Sequence, residues 1–197
     1  NDLVHDVIGM DEPFHYRNKA QYPVGLGKNG PVAGFFARRS HEIVDAKSCG
    51  IQNPVSDKAK TAVLDYIRKF SVPVYDETTG RGLIRHVVTK TGFHTGEVMV
   101  IIVAARRQIP HAEQLTGRLR KDIPGLKSVV LNVNAKSGNA VLGKENITLF
   151  GRDTIEDRLG NLIFEISPLS FYQVNPVQTE VLYDKAIEYA ALKGNET

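Results

Sequence analysis

Apolar residues recur along this chain at two spacings, one typical of strands and one typical of helices. The segment from Glu97 to Ala105 is apolar on both faces, which predicts a strand in the centre of a sheet. Other predicted strands follow the two-residue alternation of a sheet with one buried face. They cover residues 31–36, 83–89, 126–134, 155–158 and 162–166, and the last two form a hairpin around Leu159-Gly160-Asn161.

Three segments have the three-to-four-residue spacing of an amphipathic helix. The first begins at Asn53-Pro54 and runs to about Phe70, and the second covers residues 110–122. The third begins at Asn175-Pro176 and runs to about Leu192. In the first and third, asparagine stands at the N-cap and proline at the first helical position, which is a favourable way to start a helix.

Hairpins with helices inserted between them indicate an α+β domain with a largely antiparallel sheet and packed helices. The segment Gly25-Leu26-Gly27-Lys28-Asn29-Gly30 matches the G-x-G-x-x-G pattern of dinucleotide-binding loops. That pattern requires a helix to follow it, whereas residues 31–36 read as a strand. We therefore interpret the glycines as the turn of a β-hairpin.

The composition predicts a folded protein of the reducing cytoplasm. With 42% hydrophobic and 24% charged residues, the chain can bury a core. No apolar run approaches the roughly 20 residues that a membrane span needs, so no membrane partner is expected. Cys49 is the only cysteine, which excludes an internal disulfide. The six histidines lack the spacing of a zinc site.

Basic residues cluster between Tyr16 and Arg39, where five of them occur without an acidic residue. Strand alternation places Arg17 and Lys19 on the same face. Such a face suits contacts with the phosphates of RNA. The alternative is an ordinary solvated strand face.

The junction from Ser167 to Pro176 carries the most informative group of side chains. Two aromatic residues, Phe171 and Tyr172, are followed by the amide of Gln173 and the helix cap Asn175. The free backbone N–H groups at the start of the next helix would face a ligand bound there. The alternative is a well-capped helix without a ligand.

This junction resembles the S-P-x-x-F-F-Q-V-N segment of the RNA uracil-C5 methyltransferases, with Tyr172 in the second aromatic place. These enzymes use S-adenosylmethionine to make 5-methyluridine in ribosomal or transfer RNA. Further segments resemble the same family and occur in its order. They are residues 14–21, residues 40–45 with Cys49, and residues 82–86, 95–100 and 141–143.

The resemblance implies roles for the candidate residues. Gln173 would bind S-adenosylmethionine, Phe171 would shape the pocket for an extruded uridine, and Arg17 and Lys19 would contact RNA. Cys49 aligns with the fourth cysteine ligand of a four-iron four-sulfur cluster, although some members lack the cluster. One cysteine cannot hold such a cluster, so the site is expected to be empty in this chain. An inert thiol and a nucleophile are the other interpretations of Cys49.

The resemblance also predicts how the chain is organised. Residues 1–166 would form a central RNA-contacting domain, and residues 167–197 the entry segment and first helix of a truncated Rossmann-like methyltransferase domain. The family's nucleophile has no counterpart here, so we expect an inactive fragment, with no catalytic residue, of an enzyme acting on 23S ribosomal or transfer RNA. DNA is not an expected partner. The alternative function is a noncatalytic RNA-binding module.

Overall fold

The computed structural model describes residues 4–194, so the first three residues of the first predicted domain and the last three of the second lie outside it. Nine strands and three helices are present in this part of the chain. The strands are β1 (Lys19–Gly27), β2 (Gly30–Phe36), β3 (Ile43–Asp45), β4 (Ile84–Thr91), β5 (Val98–Ala104), β6 (Leu126–Val133), β7 (Glu145–Gly151), β8 (Ile155–Leu159) and β9 (Leu162–Ile166). The helices are α1 (Pro54–Phe70), α2 (Ala112–Asp122) and α3 (Pro176–Ala190).

Seven strands form one sheet in the order β3-β2-β1-β4-β5-β6-β7, and β8 and β9 form a separate hairpin. Every neighbouring pair in the large sheet is antiparallel except β5 and β6, which α2 connects as a parallel pair. The prediction of an α+β fold with a largely antiparallel sheet is therefore confirmed. The Rossmann-like domain stays a prediction, because α3 alone does not define it.

Other elements pack on both faces of the large sheet, so this part of the chain has three layers. Helices α1 and α2 pack on one face, where Val100 and Ile102 of β5 meet Val63 of α1 and Leu115 of α2 in the main apolar core. The β8–β9 hairpin covers the other face around Ile101. All seven residues of β5 are buried, which confirms its predicted central position.

The predicted helix caps and the predicted hairpin turn are confirmed. Asn53 Oδ1 accepts a hydrogen bond from Val55 N at 3.0 Å, and Asn175 Oδ1 accepts one from Gln178 N at 3.1 Å. Gly27 pairs with Gly30 across the turn between β1 and β2. No helix among residues 4–194 is long and apolar enough to cross a membrane.

The sequence patterns do not predict two edge strands or the end of β4. Strand β3 has only three residues, and β7 is a partly exposed strand at the opposite edge of the sheet. Strand β4 extends beyond Thr89 to Thr91 and so includes Lys90. Pairing with neighbouring strands, rather than one apolar face, holds β3, β7 and the end of β4 in the sheet. Their sequences therefore show only a weak alternation of apolar residues.

Gly34 is required where β3 passes close to β2. A Cβ atom at this position would lie 1.9 Å from Val44 O, and backbone atoms would have to move. Gly117 offers a matched control, because a Cβ atom added at this position within α2 would meet no atom within 4 Å. We expect Gly34→Ala to lower the free energy of unfolding by about 2 kcal/mol or more. Gly117→Ala should raise it by about 0.5–1 kcal/mol.

Urea unfolding of the two variants beside the wild type measures both effects. A Gly34→Ala protein as stable as the wild type would show that β3 does not pack against β2 as described.

Candidate functional site

Residues 167–175 connect β9 to α3 and lie across the ends of β1 and β4. The segment begins with a tight turn in which Ser167 N donates to Ser170 Oγ at 3.0 Å. Ser170 N donates in return to Ser167 Oγ at 3.2 Å, and the two hydroxyl oxygens are 2.8 Å apart. Ser170 N also donates to Ser167 O at 3.3 Å, so within the turn Ser167 O has one long hydrogen bond, whereas Ser170 O is left for a donor elsewhere in the protein.

Lys90 on β4 supplies the partner for these carbonyl groups. Its side chain is only 4% exposed, and Nζ donates to Ser167 O at 2.7 Å and to Ser170 O at 2.8 Å. Burial lowers the pKa of Lys90 to about 8, and the nearby ammonium of Lys19 acts in the same direction. Lys90 therefore holds the turn to the sheet. The sequence patterns do not single it out.

Asn18 holds the other end of the same segment. Its buried side-chain amide donates to Gln173 O at 2.8 Å, and its backbone N–H donates to Val174 O at 3.0 Å. Asn18 O accepts from Thr91 N at 2.8 Å, which joins the start of β1 to the end of β4. One asparagine thus connects two strands and the segment before α3.

The two neighbouring aromatic residues of this segment have opposite environments. The Tyr172 ring packs against Phe164 with 5.7 Å between ring centroids, and its hydroxyl donates to Asp157 Oδ2 at 3.3 Å. Burial, followed by the Asp157 carboxylate, raises the pKa of Tyr172. The Phe171 side chain is 84% exposed. Tyr172 is therefore a packing residue, whereas Phe171 offers its ring to a ligand.

A small cavity of about 60 Å³ lies beside Phe171, and we name it the Phe171 pocket. Lys19 lines it, and burial followed by the charge of Arg17 lowers the pKa of Lys19. Thr91 also lines it, and its buried hydroxyl has no hydrogen-bond partner among residues 4–194. The complete lining consists of Asn18, Lys19, Lys90, Thr91, Ile166, Ser170, Phe171, Tyr172 and Val174.

The structure places two of the sequence-predicted site residues in the lining of the Phe171 pocket and leaves the other three outside it. Phe171 and Lys19 line the same pocket. Gln173 is half-buried beside this pocket but does not line it, and its side-chain amide makes no hydrogen bond within the described part of the chain. Arg17 is half-buried, and its Nε has no partner there either. The side-chain amide of Gln173 fits a polar cofactor, because it can both donate and accept.

Cys49 lies in the loop before α1, close in space to Arg17, which lies before the start of β1 and forms an isolated bridge with Gln52. Arg17 N donates to Ile51 O at 3.0 Å, and His15 N donates to Gly50 O at 2.8 Å. The thiol is free and partly exposed. Residues 4–194 contain no group of three or more His, Cys, Asp or Glu side chains that could hold a metal ion. With one cysteine, this chain does not fit an iron-sulfur cluster by itself.

Relatives of this chain occur among bacterial proteins named as uncharacterized RNA methyltransferases. The chain is 48% identical over 193 residues to one from Clostridium tetani, covering 98% of this chain and 42% of the relative. It is 51% identical over 193 residues to one from Caldanaerobacter subterraneus subsp. tengcongensis, covering 98% of this chain and 43% of that relative. The chain thus spans about two fifths of the length of these curated relatives.

A solved structure has the same fold. The structure of Pyrococcus abyssi tRNA (uracil-54, C5)-methyltransferase in complex with S-adenosyl-L-homocysteine matches 93% of this chain and 42% of its own chain, with a TM-score of 0.76 and 24% sequence identity. No family model matches the chain. The predicted family resemblance is confirmed by the named relatives and agrees with this fold.

Removing the amine of Lys90 tests its hold on the turn. Lys90→Met leaves Ser170 O without its donor and Ser167 O with only the longer bond from Ser170 N, so we expect the free energy of unfolding to fall by about 2 kcal/mol. Lys58→Met, on the exposed surface of α1, is the control and should change it by less than about 0.5 kcal/mol. Hydrogen exchange should also become faster in residues 167–175 of the Lys90 variant alone. Equal exchange in both variants would contradict the assignment.

The wild type and the Lys90→Met variant should also differ in their pH dependence. Because the pKa of Lys90 is lowered from 10.5 to about 8 in the folded protein, unfolding takes up a proton between these pH values. The free energy of unfolding of the wild type, relative to that of Lys90→Met, should therefore rise as the pH increases from 8 to 10.5. This gain should disappear when the pH returns to 8. Urea unfolding at several pH values measures this difference, and a constant difference would contradict the lowered pKa.

Proposed function

The chain belongs to the same family as these RNA methyltransferases, and we propose that it is part of an S-adenosylmethionine-dependent RNA uracil-C5 methyltransferase. In this proposal, residues 1–166 contact the RNA, and residues 167–197 begin the domain that carries out methyl transfer. The observation that supports it most is the exposed Phe171 ring on a segment anchored by Lys90, beside a pocket lined by cationic side chains.

Phe171 can provide what an extruded base needs. A uridine buried in folded RNA must leave its stack before an enzyme can reach its C5 atom, at a cost of a few kcal/mol. An exposed aromatic ring offers a new stacking partner for that base. The hold of Lys90 on the turn keeps the ring in place before RNA arrives, which reduces the ordering cost of binding.

Lys19 and Arg17 can attract the RNA backbone to this pocket. Lys19 lines the pocket directly, and Arg17, which lies just before β1, is close enough for its charge to lower the pKa of Lys19. Lys90 lies directly opposite Lys19 on the neighbouring strand. The concentration of positive charge fits a phosphate group on either side of the uridine.

Gln173 is the proposed contact to the methyl donor. S-adenosylmethionine supplies the methyl group when it is bound, and the amide of Gln173 would hydrogen-bond one of its polar groups. The backbone carbonyl of Gln173 is held by Asn18, which fixes the position of the residue while leaving its side chain available. The solved neighbour is named as a complex with S-adenosyl-L-homocysteine, the product of such a donor, which supports this choice of cofactor.

Helix α3 supports the proposal that a longer protein completes the second domain. Of its residues, only Pro176 and Thr179 are buried. Leu182, Ile187 and Tyr189 are at least 59% exposed, although apolar side chains usually pack against another element. By itself the chain would then bind RNA without transferring a methyl group. The role of Cys49 in an iron-sulfur cluster and a preference for ribosomal over transfer RNA stay predictions.

Replacing Gln173 and Asn175 separates donor binding from helix capping. In the full-length protein, Gln173→Ala should weaken binding of S-adenosylmethionine at little cost in melting temperature, because its side chain makes no hydrogen bond among residues 4–194. Asn175→Ala should cost about 1 kcal/mol of stability, because it removes the hydrogen bond to Gln178 N. Calorimetric titration and thermal melts measure the two effects. A Gln173→Ala protein with normal donor affinity and a much lower melting temperature would identify a structural glutamine.

The proposed RNA contacts of Arg17 and Lys19 are tested by the salt dependence of RNA binding. Replacing Arg17 and Lys19 together by alanine should weaken binding of unpaired RNA and reduce the slope of log affinity against log salt by about 0.7 for each phosphate that the variant no longer neutralises. The control replaces Lys121 and Lys127, two exposed lysines outside the pocket, and should leave the slope nearly unchanged. An unchanged slope in the Arg17 and Lys19 variant would show that these two residues belong to an ordinary solvated surface and do not contact RNA phosphates.

A further inference from the structure

A second and larger concave surface lies at the other end of β1 and β4. It has a volume of about 740 Å³ and lies between the β1–β2 hairpin, residues 41–45, residues 74–78 and the start of β4. We name it the Arg85 groove. None of the site residues predicted from the sequence lines it.

Two buried polar side chains, those of Arg85 and His86, line this groove. Each has a nitrogen atom without a hydrogen-bond partner among residues 4–194. Arg85 is 3% exposed, and its Nη1 donates to Asn134 O at 2.8 Å and to Lys136 O at 2.7 Å. Its Nε has no partner among residues 4–194, and neither does Nδ1 of His86, a residue that is 6% exposed. Buried polar atoms without partners are rare and call for an explanation such as a ligand.

Aromatic rings form the walls of the groove. The Tyr75 ring lies with its centroid 4.4 Å from Arg85 Cζ, so one of its faces is already stacked. Phe36 is 43% exposed, and its ring meets the His41 ring edge-on with 5.5 Å between centroids. Planar walls of this kind suit a planar ligand.

The charges of the groove favour an uncharged ligand. Four carboxylates line it against two cations, and this excess of negative charge would repel a phosphate group. The carboxylates are those of Glu42, Asp45, Asp76 and Glu77, and the cations are Lys28 and Arg85, which lies 4.0 Å from Glu77. Burial, followed by the charge of Arg85, lowers the pKa of His86 to about 4, so its imidazole is neutral at neutral pH. A neutral imidazole has one donor and one acceptor nitrogen, which can pair with the edge of a nucleobase. The groove therefore suits a base better than a phosphate.

The groove and the Phe171 pocket share one face of the sheet. Lys19 pairs with Lys90 at the pocket, and Pro23 pairs with His86 at the groove. Residues four apart on a strand point to the same side and are roughly 14 Å apart along it. A single RNA strand that follows β1 and β4 would reach both places.

We propose that the Arg85 groove binds the base of an unpaired nucleotide in the same RNA strand whose target uridine enters the Phe171 pocket. This inference rests on the proposed function. The groove takes the base by stacking on its aromatic wall, while the phosphates lie near Lys19 at the start of β1. Its contribution would be to select RNA that is unpaired on one side of the target.

A double-mutant cycle between protein and RNA tests the proposal. The full-length protein is titrated with a single-stranded RNA oligonucleotide containing one uridine, and with versions in which each flanking nucleotide in turn lacks its base. Phe36→Ala should weaken binding of the intact RNA roughly tenfold, as expected when a stacking partner is removed. One of the base-less RNAs should bind the wild type as weakly as the intact RNA binds Phe36→Ala. With that RNA, Phe36→Ala should cause no further loss of affinity. Phe93→Ala, at a similarly exposed phenylalanine that lines neither site, is the control.

These measurements distinguish failure of the groove proposal from failure of the proposed function. If the Arg17 and Lys19 variant loses RNA affinity while Phe36→Ala binds like the wild type, the groove proposal is overturned and the proposed function stands. If the wild type binds no RNA, both fail. Should Phe36→Ala fold poorly, His41→Ala serves in its place, because the His41 side chain is 75% exposed. If His41→Ala lowers the affinity by the same factor for the intact RNA and for every base-less RNA, the proposal is likewise overturned.

Discussion

The candidate site depends on the anchoring of residues 167–175 to the ends of β1 and β4. This segment is neither helix nor strand, so its backbone carbonyl groups must find partners elsewhere. Lys90 takes two of them with one buried amine, and Asn18 takes two more with its side-chain and backbone N–H groups. Phe171 and Gln173 have fixed positions because of these four hydrogen bonds.

The sheet gives this anchoring its rigidity. Strand β5 is buried along its whole length and pairs with a neighbour on each side, so β4 and Lys90 stand on a well-packed layer. Helices α1 and α2 cover one face of the sheet and form the main apolar core with it. The hairpin and residues 167–175 cover only part of the other face, which leaves room there for the Phe171 pocket and the Arg85 groove.

Features determined by neighbouring residues could be predicted from the sequence, whereas features determined by distant contacts could not. The caps at Asn53 and Asn175 need only residues within one turn, and the apolar run of β5 needs no partner to be recognised. Strands β3 and β7 depend on pairing with other strands. Lys90 reads as a solvated charge when taken alone, although a lysine within a buried strand is a signal for a specific partner. The proposed roles of Gln173 and Phe171 came from the family resemblance. Only the structure shows that Tyr172 is packed while the neighbouring Phe171 is exposed.

The most direct measurement is mass spectrometry of RNA after incubation of the full-length protein with isotopically labelled S-adenosylmethionine. We predict label on C5 of uridine, and a much smaller amount when Phe171 is replaced by alanine in an equally stable protein. The 197-residue chain alone should transfer none. Label on another atom of the RNA, or RNA binding by the full-length protein without any methyl transfer, would contradict the account, and the second result would favour a noncatalytic RNA-binding module.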